Sequence, residues 1–301
     1  MITNDNLDEA ISDIHECENC RDVQIKKFSP VRDVIDFSEL DDSYMRCVCG
    51  KRPLDIVMAH ILKIMIEEEL VPETATLRHN SPVPLSGFYY SSLNPQFIGK
   101  DTLILLHPDF TDEAALRLVE EVSEVKGVLK GSPSDVVGQF DKDSPISHFE
   151  LLAGDDNQTN VLRTLLGEKI ILNKKQSLNH IEVAMTTEQK LLRLHNYLDN
   201  NDVKKGVAVD AMCGGGALGI YLLKYGFEKV IFNDIYPEAI ETLKSNLDVN
   251  GISEGFEIHN TDFESLGIDN VDLCVIDAFP GCDISEITEK GEKISDNVIV
   301  I

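Results

Sequence analysis

The chain has 301 residues, 43% of them apolar and 27% charged, with 11 prolines, which excludes disordered, collagenous and coiled-coil proteins and leaves room for more than one core. The longest near-apolar stretch, Leu54 to Ile66, is broken by Asp55, His60 and Lys63, and the start Met1-Ile2-Thr3-Asn4 lacks the basic and apolar run of a signal peptide, so a cytoplasmic protein without a membrane partner is expected. With 27 Lys plus Arg against 53 Asp plus Glu the protein is acidic at −26, evenly on either side of residue 180, and a field of that sign sets the expectation that RNA is disfavoured as a partner.

Residues 1–52 hold four of the seven cysteines, as Cys17-Glu-Asn-Cys20 and Cys47-Val-Cys49-Gly50. Two short pairs in a reducing compartment point to a structural metal rather than to disulfides, because four thiolates close a tetrahedral shell around zinc and stabilise a segment too small for its own core. The first pair has a zinc-knuckle spacing and the second, with one intervening residue, is tighter than usual. Buried free thiols and a redox or iron–sulfur role are the alternatives, and His15 is a substitute ligand by type.

Residues 53–180 read as a small α/β domain, a substrate or accessory unit. A helix is predicted over 56–66, a strand over 102–106, an amphipathic helix over 112–124 and a strand over 125–129. A further helix is expected near 161–166 and a strand near 169–172. Between them, 78–99 is rich in Ser, Pro and Asn and carries Phe88, Tyr89 and Tyr90, which predicts a long binding or surface loop.

Residues 181–301 carry the readable chemistry. Val207-Ala-Val-Asp210 is an apolar strand that runs through Ala-Met-Cys213-Gly214-Gly215-Gly216 into a helix reaching about Tyr225. Such a turn lets backbone approach a ligand, and the helix start presents free amide donors. A second strand, 229–234, ends at Asp234, 24 residues after Asp210, about where an α/β nucleotide site places a carboxylate for ribose hydroxyls. A helix from Pro237 to Leu247 follows, then a strand near 256–259 leading to Asp262, a strand 271–277 ending at Asp277, a helix near 284–290 and a last strand 297–301. One glycine turn followed by three further strand-end acids is a specific pattern.

At these residues a resemblance becomes apparent. Residues 205–301 resemble the nucleotide-binding half of a class I S-adenosylmethionine-dependent methyltransferase, and Asp210-Ala-Met-Cys-Gly-Gly-Gly-Ala-Leu is similar to the first motif of enzymes that modify guanine in RNA, as is Asn233-Asp-Ile-Tyr-Pro-Glu. The resemblance implies an α/β, Rossmann-like methyltransferase sheet preceded by the smaller α/β domain and the cysteine-rich segment. It implies S-adenosylmethionine as cofactor. Asp210 and the amides at Gly214 and Gly216 would hold its methionine end, Asp234 its ribose and Asp262 the adenine amino group, with Cys213, Ile235 and Phe263 as further cofactor-binding candidates and Asp277 as the catalytic residue facing the acceptor. Strand-end or helix-capping carboxylates are the plainer reading of each acid.

Two departures shape the expected function. Amino-group methyltransferases follow the Asp or Asn with Pro-Pro and an aromatic, whereas this chain has Asp277-Ala-Phe-Pro-Gly. The chain stops at Ile301, so the sheet is expected to end at a fifth strand whose open edge, 297–301, is covered by the middle domain or by a second copy in a homodimer. The first expectation is therefore a methyltransferase acting on a small molecule or a protein. The alternative is an RNA (tRNA or rRNA) base methyltransferase with Lys26, Lys27, Lys51 and Arg52 near the cysteines as local contacts, and the second alternative is a non-catalytic scaffold. Cys282 is a nucleophile candidate by position, with a structural thiol the plainer reading; Cys213 and Cys274 read as core residues, and His180 and His259 as bases by type.

Overall fold

The computed structural model describes residues 6–12, 14–90, 96–138, 146–181, 184–279 and 283–301. Cys282, with Pro280 and Gly281, lies outside them.

The N-terminal lobe starts with α1 (Leu7–Ser12) and a chain with little regular structure that includes the single turn α2 (Val31–Val34). Then follow β1 (Arg52–Pro53), α3 (Leu54–Glu67), β2 (Val83–Ser86), β3 (Phe88–Tyr90), β4 (Phe97–Ile98), β5 (Leu103–His107), α4 (Asp112–Glu121), β6 (Val125–Lys130) and β7 (Glu150–Gly154). Strands β2, β5, β6 and β7 form one sheet in that order. Its inner face meets α3 and α4 through Ile61, Met65, Leu105, Leu118 and Val128. The region 78–99 is thus not one long loop, since β2, β3 and β4 fall inside it. Pro84 is tolerated because β2 pairs on one side only and needs no second donor row.

Helix α4 begins where Thr111 accepts a hydrogen bond from the Ala114 amide (3.3 Å) and stops at Glu121, three residues short of the predicted end. Val122 turns extended so that Glu124, fully buried, meets Arg52.

Strands β8 (Asn157–Arg163) and β9 (Lys169–Lys175) form an antiparallel hairpin with β3 added in parallel to β8. The helix expected near 161–166 is therefore strand in its first half. Val161 packs with Ile171 and α1's Leu7 on one face while Leu162, Ile170 and Leu172 pack with α5 (Ala184–Asn200) on the other. A sheet buried on both faces has a continuous apolar run instead of alternation, and a short run of that kind reads equally well as helix.

The remainder is β10 (Val207–Asp210), α6 (Ala217–Tyr225), β11 (Lys229–Asn233), α7 (Pro237–Val249), β12 (Phe256–His259), β13 (Leu273–Ile276), α8 (Ser285–Ile294) and β14 (Val298–Val300). The five strands are all parallel in the order β12-β11-β10-β13-β14. The order reverses between β10 and β13, and open α/β sheets bind ligands at the carboxyl ends of the strands beside such a reversal. The outer edge at β14 is met within this chain, where Arg193 of α5 donates to the Val300 carbonyl (3.1 Å). Among the described residues no helix is long and apolar enough to cross a membrane.

Candidate active site

The reversal point gathers the strand-end acids. Asp210 ends β10 and is 1% exposed; its Oδ2 accepts the Gly219 amide at 2.8 Å, and its Oδ1 is buried without a hydrogen-bond partner. Burial, together with the negative charges of Asp277 and Asp234, lifts its carboxyl to about 7, against the opposing Gly219 bond. Asp234, just past β11, accepts the Gly214 amide (2.8 Å) on one oxygen and the Tyr236 amide (2.9 Å) on the other. Burial moves its carboxyl upward as well, with those amides pulling the other way.

Gly214 and Gly216 have φ of +50° and +88°, and α6 starts at once after them. A Cβ on Gly216 would collide with Leu243, whereas one on Gly214 would meet nothing within 4 Å. The turn is thus closed against α7 at Gly216 and open at Gly214. Cys213 is buried, its amide donates to the Asn233 carbonyl (2.8 Å), and its thiol is pushed far up by burial. Ile235 is 37% exposed beside Asp234, an apolar face available to a ring.

Asp262 caps the short turn Phe263–Ser265 by accepting the Glu264 amide (3.2 Å), as the plainer reading of that acid anticipates. Phe263 points away from the crevice, into the cluster of Val209, Ala211 and Ile231, so only its backbone is available there. Asp277 follows β13 and forms an ion pair with Lys190 of α5 (2.9 Å). Two residues on, Phe279 meets the His180 ring edge to face, with 6.2 Å between centroids, and His180 Nδ1 is buried without a hydrogen-bond partner. His259 ends β12 and accepts the Asp234 amide on its backbone carbonyl (3.3 Å), while its ring is bonded to Glu257 (2.8 Å).

Lys190 is the site residue that the sequence reading missed, since the helix carrying it was not identified. Leu191, Leu194 and Leu198, all buried, have the helical spacing that would have found it.

The cysteines meet in a second cluster. Cys17 Sγ is 3.5 Å from Cys47 and 3.8 Å from Cys20, Cys20 is 3.6 Å from Cys49, and all four sulfurs lie within 4.8 Å of one another. An ion held tetrahedrally at about 2.3 Å from each sulfur would set them about 3.8 Å apart, so the donor set fits zinc. The tight second pair works because the Cys47 amide donates to Lys51 O and Gly50 donates back to Cys47 O (both 2.8 Å), folding the one-residue spacer outward; Val48 is 88% exposed. His15 is exposed and not one of the cluster.

Residues 184–278 match the family model described as ribosomal protein L11 methyltransferase (PrmA). The ribosomal protein L11 methyltransferase of Tolumonas auensis is 44% identical over 63 residues, 21% of this chain and 22% of that protein; that of Hamiltonella defensa is 33% identical over 92 residues, 30% of each. The chain thus spans less than a third of the length of the curated relatives it matches. Among solved structures, Trm5b from Pyrococcus abyssi has a TM-score of 0.46 at 17% identity, covering 73% of this chain and 58% of that one. The M. jannaschii tRNA m1G37 methyltransferase has a TM-score of 0.44 at 17% identity, covering 80% and 62%. The C-terminal unit is a class I S-adenosylmethionine-dependent methyltransferase domain, as its motifs imply. The expected partners, a small-molecule or protein acceptor with RNA disfavoured, are corrected toward a ribosomal acceptor, since the curated relatives are named for methylation of ribosomal protein L11.

Proposed function

We propose that the protein is an S-adenosylmethionine-dependent RNA base methyltransferase. The observation that carries the cofactor is the unpartnered Asp210 Oδ1 at the glycine turn, since a buried carboxylate oxygen in a site of this shape fits a cationic amine. The cofactor supplies a methyl group already activated on a sulfonium. Asp210 would hold the ammonium, the turn at Gly214 and Gly216 would admit the methionine end, Asp234 would orient the ribose, Ile235 would lie against the adenine, and Asp262 with the Phe263 backbone would hold its edge.

The acceptor reading is carried by Phe279 beside Asp277. A nucleobase has a π-face to stack on an aromatic ring and an N–H edge for a carboxylate to accept, and stacking contributes about 1–3 kcal/mol per base. Lys190 restrains the Asp277 carboxylate through their ion pair (2.9 Å). Alignment of nucleophile, carbon and sulfur is the main catalytic demand. The exposed Phe28 and Val48 of the cysteine lobe, with Arg21 and Lys26 exposed nearby in sequence, offer a second place for RNA to rest. A ribosomal-protein amine is the second reading, favoured by the family matched.

Protein incubated with methyl-labelled cofactor is expected to label a base in tRNA or rRNA, and Asp277→Ala to lower kcat by about 100-fold or more with binding of S-adenosylhomocysteine changed less than about threefold. Label confined to ribosomal protein would favour the second reading, and label in neither would overturn both.

Structural zinc at the four cysteines belongs to the same proposal. Elemental analysis is expected to find one zinc per chain, lost in Cys20→Ser, and a chelator should lower the thermal midpoint because the binding free energy of such a site is folding free energy. Metal-free protein with an unchanged midpoint would refute it.

A further inference from the structure

Three side chains hold the glycine turn and the start of α6. Asp234 takes the Gly214 amide of the turn and Asp210 the Gly219 amide in the first turn of α6, both on the sheet side. The third comes from α7, where Asn246, fully buried, donates Nδ2 to the Gly215 carbonyl at 2.8 Å. The same amide's Oδ1 accepts the Asn173 backbone N–H of β9, also at 2.8 Å. One turn further along α7, Asn250 repeats the contact with β9 and not the contact with the turn. Its Oδ1 accepts the Ile171 amide (3.0 Å), and its Nδ2 donates to the Ile171 carbonyl and the Asn246 carbonyl (both 2.7 Å).

The free edge of the β8–β9 hairpin is therefore paired with two asparagine amides of a helix in place of another strand, at a spacing of four residues that puts both on one helix face. This satisfies edge groups that would cost free energy if buried alone. It also ties the hairpin to the cofactor crevice, because an amide has one donor end and one acceptor end, and Asn246 uses one on each side. Asp at this position would keep the acceptor and turn a second oxygen on the Gly215 carbonyl.

We propose that Asn246 is a positioning residue through which the docked β8–β9 hairpin sets the Gly214–Gly216 turn, so that cofactor affinity depends on a hairpin lying outside the methyltransferase sheet. The inference rests on the cofactor reading above. Asn250 supplies the comparison, since it secures the same edge without touching the turn.

The test is calorimetric titration of the full chain with S-adenosylhomocysteine, alongside thermal midpoints and amide exchange. Asn246→Asp is expected to raise Kd at least tenfold and to speed exchange at Gly216 to Gly219. Asn250→Ala is expected to lower the thermal midpoint by a similar or larger amount while leaving Kd within twofold. Asn246→Asp binding within twofold of wild type would overturn the proposal, and so would equal losses of affinity in the two variants, which would mark a purely structural role. Should Asn246→Asp not fold, Asn246→Ser, which keeps a shorter donor, must still show the split between Kd and midpoint. Wild-type protein that binds no S-adenosylhomocysteine would instead fail the cofactor reading itself, and this inference with it.

Discussion

Asp210→Asn should make the ligand-free protein more stable and leave it unable to bind its cofactor tightly. The carboxyl of Asp210 is raised to about 7, first by burial and then by Asp277 and Asp234, against about 3.9 in an unfolded chain. A raised carboxyl contributes most to stability when protonated, so its contribution is full below about pH 4, is lost as pH rises toward 7, and stays lost above. The asparagine oxygen can still accept the Gly219 amide, now without the buried charge. The gain at pH 8 is expected on the order of 2–4 kcal/mol, read as a higher midpoint in urea, and is expected to vanish near pH 4. Binding should move the other way. A cationic amine pairs with the ionised form, so wild-type affinity for S-adenosylhomocysteine is expected to weaken about tenfold from pH 8 to pH 6, and Asp210→Asn to lose both the affinity and its pH dependence. An unchanged midpoint together with tight binding by the variant would show that this acid does not face the ligand. A site that is costly when empty is the usual trade between stability and function.

The second large effect is expected far from the crevice, at the buried pair of Arg52 and Glu124, both 0% exposed. Arg52 Nε donates to Glu124 Oε1 at 2.9 Å and Nη2 to the other oxygen, while Nη1 donates to the Asp41 carbonyl at 2.8 Å. His60, whose ring faces Nη1, is pushed down to about 4 by burial and by the charges of Arg52 and Lys63, so it stays neutral and adds no second buried cation. Arg52→Ala strands Glu124 inside with only Arg46 Nη1 at 3.0 Å, and the expected loss is about 3–5 kcal/mol. Adding Glu124→Leu should recover a large part, because the stranded charge and not the missing attraction accounts for most of the cost. A double variant as unstable as the sum of the singles would contradict that account. Arg52 also follows Cys49 by three residues, so the single variant should weaken the cysteine lobe's attachment and make zinc easier to remove by a chelator.

Which parts of this were legible from sequence follows a physical line. From β10 onward the methyltransferase unit was read element by element because local chemistry writes it, whereas α5 before it was missed. Apolar strands end in acids, Gly214 and Gly216 take positive φ, and Pro237 starts a helix, all within a few residues of each other in the chain. The cysteine cluster was legible for the same reason, even with the tight second pair. The hairpin at 157–175 was misread in part because burial on both faces removes the period that separates strand from helix. The net charge of −26 misdirected the reading of partners, since it sums the whole surface whereas an acceptor meets one crevice.

The sequence by itself determined the strand-end acids, the glycine turn and the paired cysteines, because those depend on residue type and spacing over short stretches. Only the tertiary structure decided that Lys190 reaches Asp277, that His180 reaches Phe279, that Asn246 bridges Asn173 to Gly215 and that Arg52 closes on Glu124. Each of those contacts joins residues separated by dozens of positions, and their partners are chosen by how layers pack, which no local pattern encodes.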